Sequence, residues 1–197
     1  MNIFVLDATP QLCAAAHADQ HVGKMLLEAV QLLCTAHPQP QDPRWADMTP
    51  TQRLQADLLP YKHTHVNHKC AVWTRRRRDN YLWLVAHAYA LADEWLYRSG
   101  KEHGSREALD WCGRHVTSAQ FAESGSGMTP HPQAMPAQYQ RPVAVTAYRL
   151  YYAAEKRVLQ GRPAQWTRRD VPEWFGVDVP TAAATAQEAA AAAQAVL

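Results

Sequence analysis

The sequence lacks any apolar run that approaches the roughly 18 residues of a membrane-spanning helix, so we expect no transmembrane segment. Its opening stretch, MNIFVLD, has no basic lead and only a short apolar region, which argues against a secretory signal peptide. The four cysteines show none of the close spacings typical of metal sites, and we expect them to be reduced. These absences predict a soluble, cytoplasmic protein without a membrane partner.

The net charge is also small: the chain has 20 lysines and arginines and 18 aspartates and glutamates, so its formal net charge is +2. So small an excess does not by itself indicate a nucleic-acid partner. The ten histidines are the unusual part of the composition, since imidazoles gain charge below about pH 6.5. A chain of 197 residues is long enough for a real core. We expect one helical domain over residues 1–178 and an alanine-rich helix or tail over residues 179–197.

The strongest structural signal is a helical pattern that ends before Pro38. Asp7 or Thr9 can cap this helix, and Pro10 suits its first turn. Its predicted apolar face consists of Val22, Met25, Leu26, Ala29 and Leu33. A polar stripe beside that face consists of His17, His21, Lys24 and Glu28. The stripe carries groups that can do chemistry, although a solvated helix face gives the same pattern.

A second long helix is predicted from Ala71 to Ser99, with Gly100 as its C-terminal cap. Its polar stripe consists of Asn80, His87, Glu94 and Arg98. We expect the two stripes to face each other across a polar pocket, with His17, His87 and Glu94 as a secondary group. The alternative is that these side chains are simply satisfied between packed helices. The predicted fold is all-α: a helical bundle around two long helices, with a short extended segment over residues 2–6.

Four consecutive arginines open the second predicted helix. Positive charge at a helix N-terminus opposes the macrodipole and costs roughly 0.3–1 kcal/mol per charge. That cost favours a phosphate-binding surface, with a solvated charge cluster as the alternative. Other basic residues lie near aromatic side chains, which can stack bases but also pack cores. The residues predicted to contact nucleic acid are Lys24, His68, Arg75, Arg76, Arg77, Arg78, Asn80, Arg149, Arg168 and Arg169.

The string Ala18-Asp19-Gln20-His21, followed seven residues later by Glu28, resembles the first helix of the phage pyrimidine-dimer DNA glycosylases of the endonuclease V type. The resemblance implies an all-helical DNA-processing scaffold. It also implies that Glu28 is the catalytic carboxylate and that His21 and a later histidine, here His37, serve the same site. More loosely, His68 followed by a long helix with Glu94, Arg98 and Gly100 resembles a later part of that family.

The nucleophile in that family is the α-amine of a small second residue, exposed when the initiator methionine is removed. Asn2 occupies that position here, and methionine before asparagine is usually kept, so the amine would then belong to Met1, or the nucleophile is lost. Met1 and Asn2 are the candidate residues at this end of the chain. The arginines that flank the family's glutamate are absent. The chain also resembles uncharacterised phage-type proteins through MNIFVLD and the later PEWF, which implies the cytoplasm of a host cell.

The leading hypothesis is therefore an enzyme that acts on a base in DNA or on its glycosidic bond, without a cofactor. The first alternative is a helical metalloenzyme. Its divalent metal would be held by ligands from among His17, His21, Glu28, His87 and Glu94. The second alternative is a nucleic-acid-binding phage protein without catalysis.

Overall fold

The computed structural model describes residues 1–56 and 58–176, and this part of the chain is mainly helical, as predicted. It contains seven α-helices and one pair of two-residue antiparallel strands. The helices are α1 (Pro10–Ala15), α2 (Asp19–Cys34), α3 (Pro50–Ala56), α4 (Lys69–Thr74), α5 (Arg78–Ser99), α6 (Arg106–Arg114) and α7 (Ala144–Glu155). The strands are β1 (Val158–Leu159) and β2 (Arg162–Pro163). The predicted alanine-rich tail over residues 179–197 lies outside the described residues.

Several helix ends follow local sequence signals. Thr9 accepts a hydrogen bond from the backbone N–H of Leu12 and thereby caps α1, and Pro10 is the first residue of that helix. Gly100 has a φ of +70°, a left-handed conformation that glycine adopts without steric cost, and it ends α5. Both ends are where the sequence predicts them.

The first predicted helix is in fact two helices, because the chain turns between α1 and α2. Ala18 has extended backbone angles, with φ −65° and ψ 154°. The guanidinium of Arg98 stabilises the turn by donating to the carbonyl oxygens of Ala15 and His17, each at 2.9 Å. The prediction of one continuous helix is therefore wrong, and His17 does not share the helix of Glu28.

The second predicted helix is also divided, into α4 and α5. Arg77 is extended, with φ −137° and ψ 152°, and α5 begins at Arg78 rather than at Ala71. The buried side chain of Asn80 donates a 2.8 Å hydrogen bond to the carbonyl oxygen of Trp73, near the end of α4. The same carbonyl oxygen also accepts from the backbone N–H of Arg76, at 3.1 Å. Most of the arginine run therefore lies in a turn between two helices.

The core is built where α2 packs against α5. Gly23 permits this close approach, because a Cβ at that position would lie 2.7 Å from the ring of Trp95. The predicted apolar face of α2 is buried: Val22, Met25, Leu26, Ala29 and Leu33. Large buried residues on α5 are Tyr81, Leu84 and Leu91. None of the described helices is both long and apolar enough to cross a membrane.

An extended segment of residues 2–6 is buried beside α2, as predicted, and it belongs to neither of the two described strands. Phe4 has a φ of +50°, an uncommon conformation for a bulky residue. The Oδ1 of Asn2 accepts hydrogen bonds from the backbone N–H groups of Ile3 and Phe4, at 2.8 and 3.3 Å. Arg149 on α7 donates to the carbonyl oxygen of Leu6 at 2.8 Å. The segment is therefore held by side chains rather than by a sheet.

Candidate functional site

The N-terminus of the chain lies against Glu28 on α2. The backbone N–H of Asn2 donates to Glu28 Oε2 at 2.8 Å, and the terminal amine of Met1 is 4.0 Å from the same oxygen. The side chain of Glu28 is 14% exposed, so its carboxylate lies at the edge of the protein surface. The structure thus brings together three of the residues that the resemblance marks as catalytic.

Asn2 is held in this position by two elements far away in the sequence. Its Oδ1 accepts a hydrogen bond from the hydroxyl of Tyr148 on α7, at 2.8 Å. Its Nδ2 donates to the carbonyl oxygen of Ala134 at 2.9 Å. Ala134 belongs to the Gly-, Ser- and Pro-rich segment of residues 123–136, whose sequence predicts only a loop. Neither Tyr148 nor Ala134 carried a sequence signal that pointed to this contact.

Two basic side chains, Lys24 and His68, lie near the Glu28 carboxylate. Lys24, one turn earlier on α2, places its Nζ 4.0 Å from Glu28 Oε1 and is itself exposed. Burial lowers the pKa of His68, the positive charge of the N-terminus adds to this effect, and Glu28 opposes it. His68 also caps α4 by accepting a hydrogen bond from the backbone N–H of Cys70. Lys24 and His68 thus border the same carboxylate as the terminal amine.

His21 lies beneath the N-terminal segment rather than at the surface. Its Nδ1 is 2.7 Å from the hydroxyl of Tyr152, and its ring stacks on Phe4 with 5.1 Å between centroids. Burial lowers the pKa of His21 to about 4. The side chain is therefore neutral at pH 7 and supports the strained backbone at Phe4.

His37 is fully buried at the far end of α2. Its two ring nitrogens are 3.0 Å from Ser118 Oγ and 2.8 Å from the hydroxyl of Tyr81. Burial lowers the pKa of His37 to about 3. These partners give His37 a structural place, and it has no contact with Glu28 or with the N-terminus.

The expected pocket between two polar stripes is not formed. Asn80 is buried and bonded to Thr129 and to the carbonyl oxygen of Trp73, so it is not available to nucleic acid. His87 faces α1, and Glu94 lies in a separate ion-pair cluster. Apart from His17 and His87, the members of the two stripes do not meet, because α2 and α5 pack through apolar side chains and the close contact at Gly23.

Glu94 belongs to a cluster of charges that joins three parts of the chain. Arg98 pairs with Glu94 and Asp19, each at 2.7 Å, and Arg169 makes two 2.9 Å hydrogen bonds to the Glu94 carboxylate. Burial would raise the pKa of Glu94, but the hydrogen bonds from Arg169 and Arg98 outweigh it and hold the pKa below its usual value. Arg169 is thereby committed to Glu94 and to the ring of Tyr97.

His17 and His87 do come together, with Cys13 as the third member. One ligand atom of each lies within 4.8 Å of the others, and all three residues are buried. Burial lowers the pKa of each of the two histidines to about 3. Only two of the five ligands in the metalloenzyme hypothesis are therefore in this group. Cys13 was missed, although its position four residues before His17 was the available signal.

Some side chains of the arginine run form ion pairs within the protein, and others are exposed to solvent. Arg76 and Arg77 both bind the carboxylate of Glu123, at 2.6 and 2.9 Å, while Arg78 is exposed. Arg75 lines a cavity of about 440 Å³, and its Nη1 is buried without a hydrogen-bond partner among the described residues. Other residues that line this cavity are Thr35, Gln39, Arg44, His63 and Val66.

The two other predicted nucleic-acid contacts make bonds within the protein. Arg149 pairs with Asp7 at 2.7 Å and lies over the ring of Trp174. Arg168 donates to the carbonyl oxygen of Tyr97 at 2.8 Å but remains exposed. Arg149 therefore has a structural role in holding the N-terminal segment.

In comparisons with protein-family models, with curated proteins and with solved structures, no match to this chain was found.

Proposed function

We propose that this protein is a DNA-processing enzyme that cleaves the bond between a base and its sugar, with an N-terminal amine as nucleophile and Glu28 as the assisting carboxylate. The observation that supports the proposal is the 2.8 Å hydrogen bond from the Asn2 N–H to Glu28 Oε2, with the Met1 amine 4.0 Å from the same oxygen. Burying residues 2–6 and holding Phe4 at a positive φ serves this placement.

The chemistry needs an amine and a carboxylate side by side. An α-amine is partly neutral at pH 7 and can attack C1′ of the target nucleoside. The bond from C1′ to the base nitrogen then breaks, and the base leaves with the bonding electron pair and takes up a proton. The nitrogen then loses its remaining protons, the C1′–O4′ bond breaks with its electron pair leaving on O4′, which takes up a proton, and an imine forms between the nitrogen and C1′.

Glu28 has two roles in this proposal. Its negative charge stabilises the positive charge that develops on the sugar, and its free lone pairs accept a proton from the attacking amine. If Met1 is retained, its amine is the nucleophile. If Met1 is removed, the nitrogen that now donates to Glu28 Oε2 becomes the terminal amine. The target base has to leave the helical stack to reach either nitrogen.

In this proposal the DNA backbone contacts the protein at Arg75. Thr35 is the buried residue that ends α2, seven residues and about 10 Å beyond Glu28 along the helix axis. Thr35 and Arg75 line the cavity of about 440 Å³. The unpartnered Nη1 of Arg75 is a donor suited to a phosphate oxygen.

Borohydride trapping tests the proposal. The full chain is incubated with duplexes that carry either a pyrimidine dimer or an abasic site, and sodium borohydride reduces any imine to a stable cross-link. Peptide mapping by mass spectrometry then locates the attached sugar. We expect the cross-link on the N-terminal nitrogen, and an intact-mass measurement identifies whether that nitrogen belongs to Met1 or Asn2.

Lys24 provides the matched control, because its amine is also 4.0 Å from a Glu28 oxygen. Lys24→Arg should still be trapped, whereas a chain extended by two residues before Met1 should not. A cross-link that maps to Lys24, or trapping that survives the extension, would contradict the N-terminal mechanism. Salt-dependent DNA binding without any cross-link would favour the non-catalytic nucleic-acid-binding hypothesis instead.

A further inference from the structure

We infer that Cys13, His17 and His87 form a buried binding site for one Zn²⁺ ion, independent of the reaction proposed at Glu28. Cys13 is on α1, His17 lies in the turn after it, and His87 is on α5. Cys13 Sγ is 3.9 Å from His87 Nε2, and one ligand atom of each residue lies within 4.8 Å of the other two. None of the three residues is more than 1% exposed.

Both imidazoles are oriented as metal ligands are. His17 Nδ1 is 2.7 Å from the carbonyl oxygen of Cys13, and His87 Nδ1 is 3.3 Å from that of Pro10. A carbonyl oxygen only accepts, so each Nδ1 carries the proton and donates it. Each Nε2 is therefore an unprotonated lone pair. A second-shell hydrogen bond of this kind is the usual arrangement for a histidine that binds a metal.

The lone pair of His17 needs a partner that the protein does not supply. His17 Nε2 is buried and has no hydrogen-bond partner of good geometry among the described residues, although the backbone of Ile3 is close enough to raise the pKa of His17. An unsatisfied buried acceptor is costly, typically about 1–3 kcal/mol, so natural proteins rarely retain one without a reason. A cation between His17, His87 and Cys13 satisfies that lone pair. It also explains why a thiol points at an imidazole nitrogen from a distance too long for a good hydrogen bond.

The ligand set favours zinc among common cations. Two imidazole nitrogens and one thiolate are ligands for a borderline-soft ion and are poor ligands for Mg²⁺ or Ca²⁺. Tetrahedral zinc with bonds of about 2.0 Å to nitrogen and 2.3 Å to sulfur needs its ligand atoms about 3.3–3.6 Å apart. The Cys13–His87 distance of 3.9 Å is close to this value, and a ligand-atom spacing of 4.8 Å would have to close by about 1.2–1.5 Å on binding. One water completes the tetrahedron.

Binding converts the Cys13 thiol to a thiolate, as its S–H bond breaks, the proton passes to solvent and a sulfur–zinc bond forms. The thiolate already has a supporting donor, because the backbone N–H of Leu6 is 3.2 Å from Cys13 Sγ. The competing partner of the thiol proton is the carbonyl oxygen of Phe4, at 3.5 Å. The ion would therefore link α1 to α5, and the hydrogen bond from the Leu6 N–H to Cys13 Sγ would link both to the extended segment of residues 2–6.

Metal content and cobalt spectroscopy test this inference on the full chain. Protein that is purified without a histidine tag or chelator from zinc-supplemented cells should contain about one zinc per chain by elemental analysis. Refolding from urea with Co²⁺ should give the intense visible bands of a tetrahedral ion and a near-ultraviolet thiolate-to-cobalt charge-transfer band. These measurements on the unmodified chain do not depend on any variant's ability to fold.

Variants then locate the site. Cys13→Ser should abolish the charge-transfer band, and His87→Gln should weaken metal affinity by at least about 100-fold, above the range for second-shell changes. Cys70→Ser is the matched control, because Cys70 is equally buried but lies outside the three-residue group, and it should leave the spectrum unchanged. Substoichiometric zinc with no charge-transfer band in the unmodified chain would overturn the inference, as would a band that persists in Cys13→Ser.

Discussion

The backbone N–H of Asn2 donates a 2.8 Å hydrogen bond to Glu28 Oε2, although 26 positions separate the two residues. The bond fixes the start of the chain against the one carboxylate that the resemblance to glycosylases marks as catalytic. Tyr148 and Ala134 hold Asn2 from the other side, so the position of the N-terminus is set by three separate parts of the fold.

Glu28→Gln should abolish trapping on DNA while the protein stays folded. The amide oxygen of glutamine can still accept from the Asn2 N–H, so the free energy of unfolding should change by less than about 1 kcal/mol. Glutamine carries no negative charge and cannot take the amine's proton. Borohydride trapping and urea unfolding measure the two effects separately. Glu102→Gln, at an exposed carboxylate, is the control and should be trapped normally.

Arg75→Ala should weaken DNA binding and lower the slope of log K against log salt by about one unit, the value expected for one lost phosphate contact. The reason is that Arg75 has an unpartnered guanidinium nitrogen at a cavity. Arg76→Ala is the comparison, because Arg76 already binds Glu123 and should change the slope less. Fluorescence anisotropy over a salt series measures both. Equal slopes for Arg75→Ala and the unmodified chain would place the phosphate contacts elsewhere.

Arg98→Met should destabilise the protein by about 3–5 kcal/mol, the range for removing one partner of a buried ion pair. The change removes the partner of Asp19 and leaves the carbonyl oxygens of Ala15 and His17 without a donor, while Glu94 keeps Arg169. Urea unfolding at pH 7 measures the loss. Arg114→Met, at an exposed position on α6, should stay within about 0.5 kcal/mol of the unmodified chain.

His37 should make the protein less stable as the pH falls below about 6.5. Burial lowers its pKa to about 3, with smaller contributions in the same direction from His115, His63 and Arg44. Below pH 6.5 this histidine is therefore protonated in the unfolded chain but stays neutral in the folded chain. This difference in proton binding favours unfolding as the pH falls. By linkage, the penalty from one such histidine is about 2 kcal/mol at pH 5.

The comparison of His37→Gln with the unmodified chain isolates this effect. The variant loses hydrogen bonds to Ser118 and Tyr81 at every pH, but its free energy of unfolding should fall by about 2 kcal/mol less between pH 7 and pH 5. His65→Asn, at an exposed histidine, should keep the pH dependence of the unmodified chain. Parallel pH profiles for His37→Gln and the unmodified chain would contradict the prediction.

Local sequence determined several of the described helices, among them α1, α2 and the end of α5. Pro10 after a capping Thr9, the apolar spacing of α2 and the glycine after Ser99 each act within a few residues, and each is visible in the sequence. The mainly helical fold and the extended N-terminal segment followed from such signals. The two breaks did not, because Ala18 and Arg77 have ordinary helical neighbours. At the first break Arg98, from the distant end of α5, donates to the carbonyl oxygens of Ala15 and His17, and at the second the Asn80 side chain donates to that of Trp73.

The candidate sites also combine features that are visible in the sequence with features that only the tertiary structure sets. The A-D-Q-H string and the offset to Glu28 are linear features, and the resemblance that they carry is what implied that Glu28 and the N-terminus serve one site. Tertiary structure decided the rest: it buried His37 and Asn80, committed Glu94 to two arginines and brought Cys13 to His17 and His87. Helical periodicity says which residues share a face, but which element packs on that face depends on shape and close contacts such as Gly23 against Trp95.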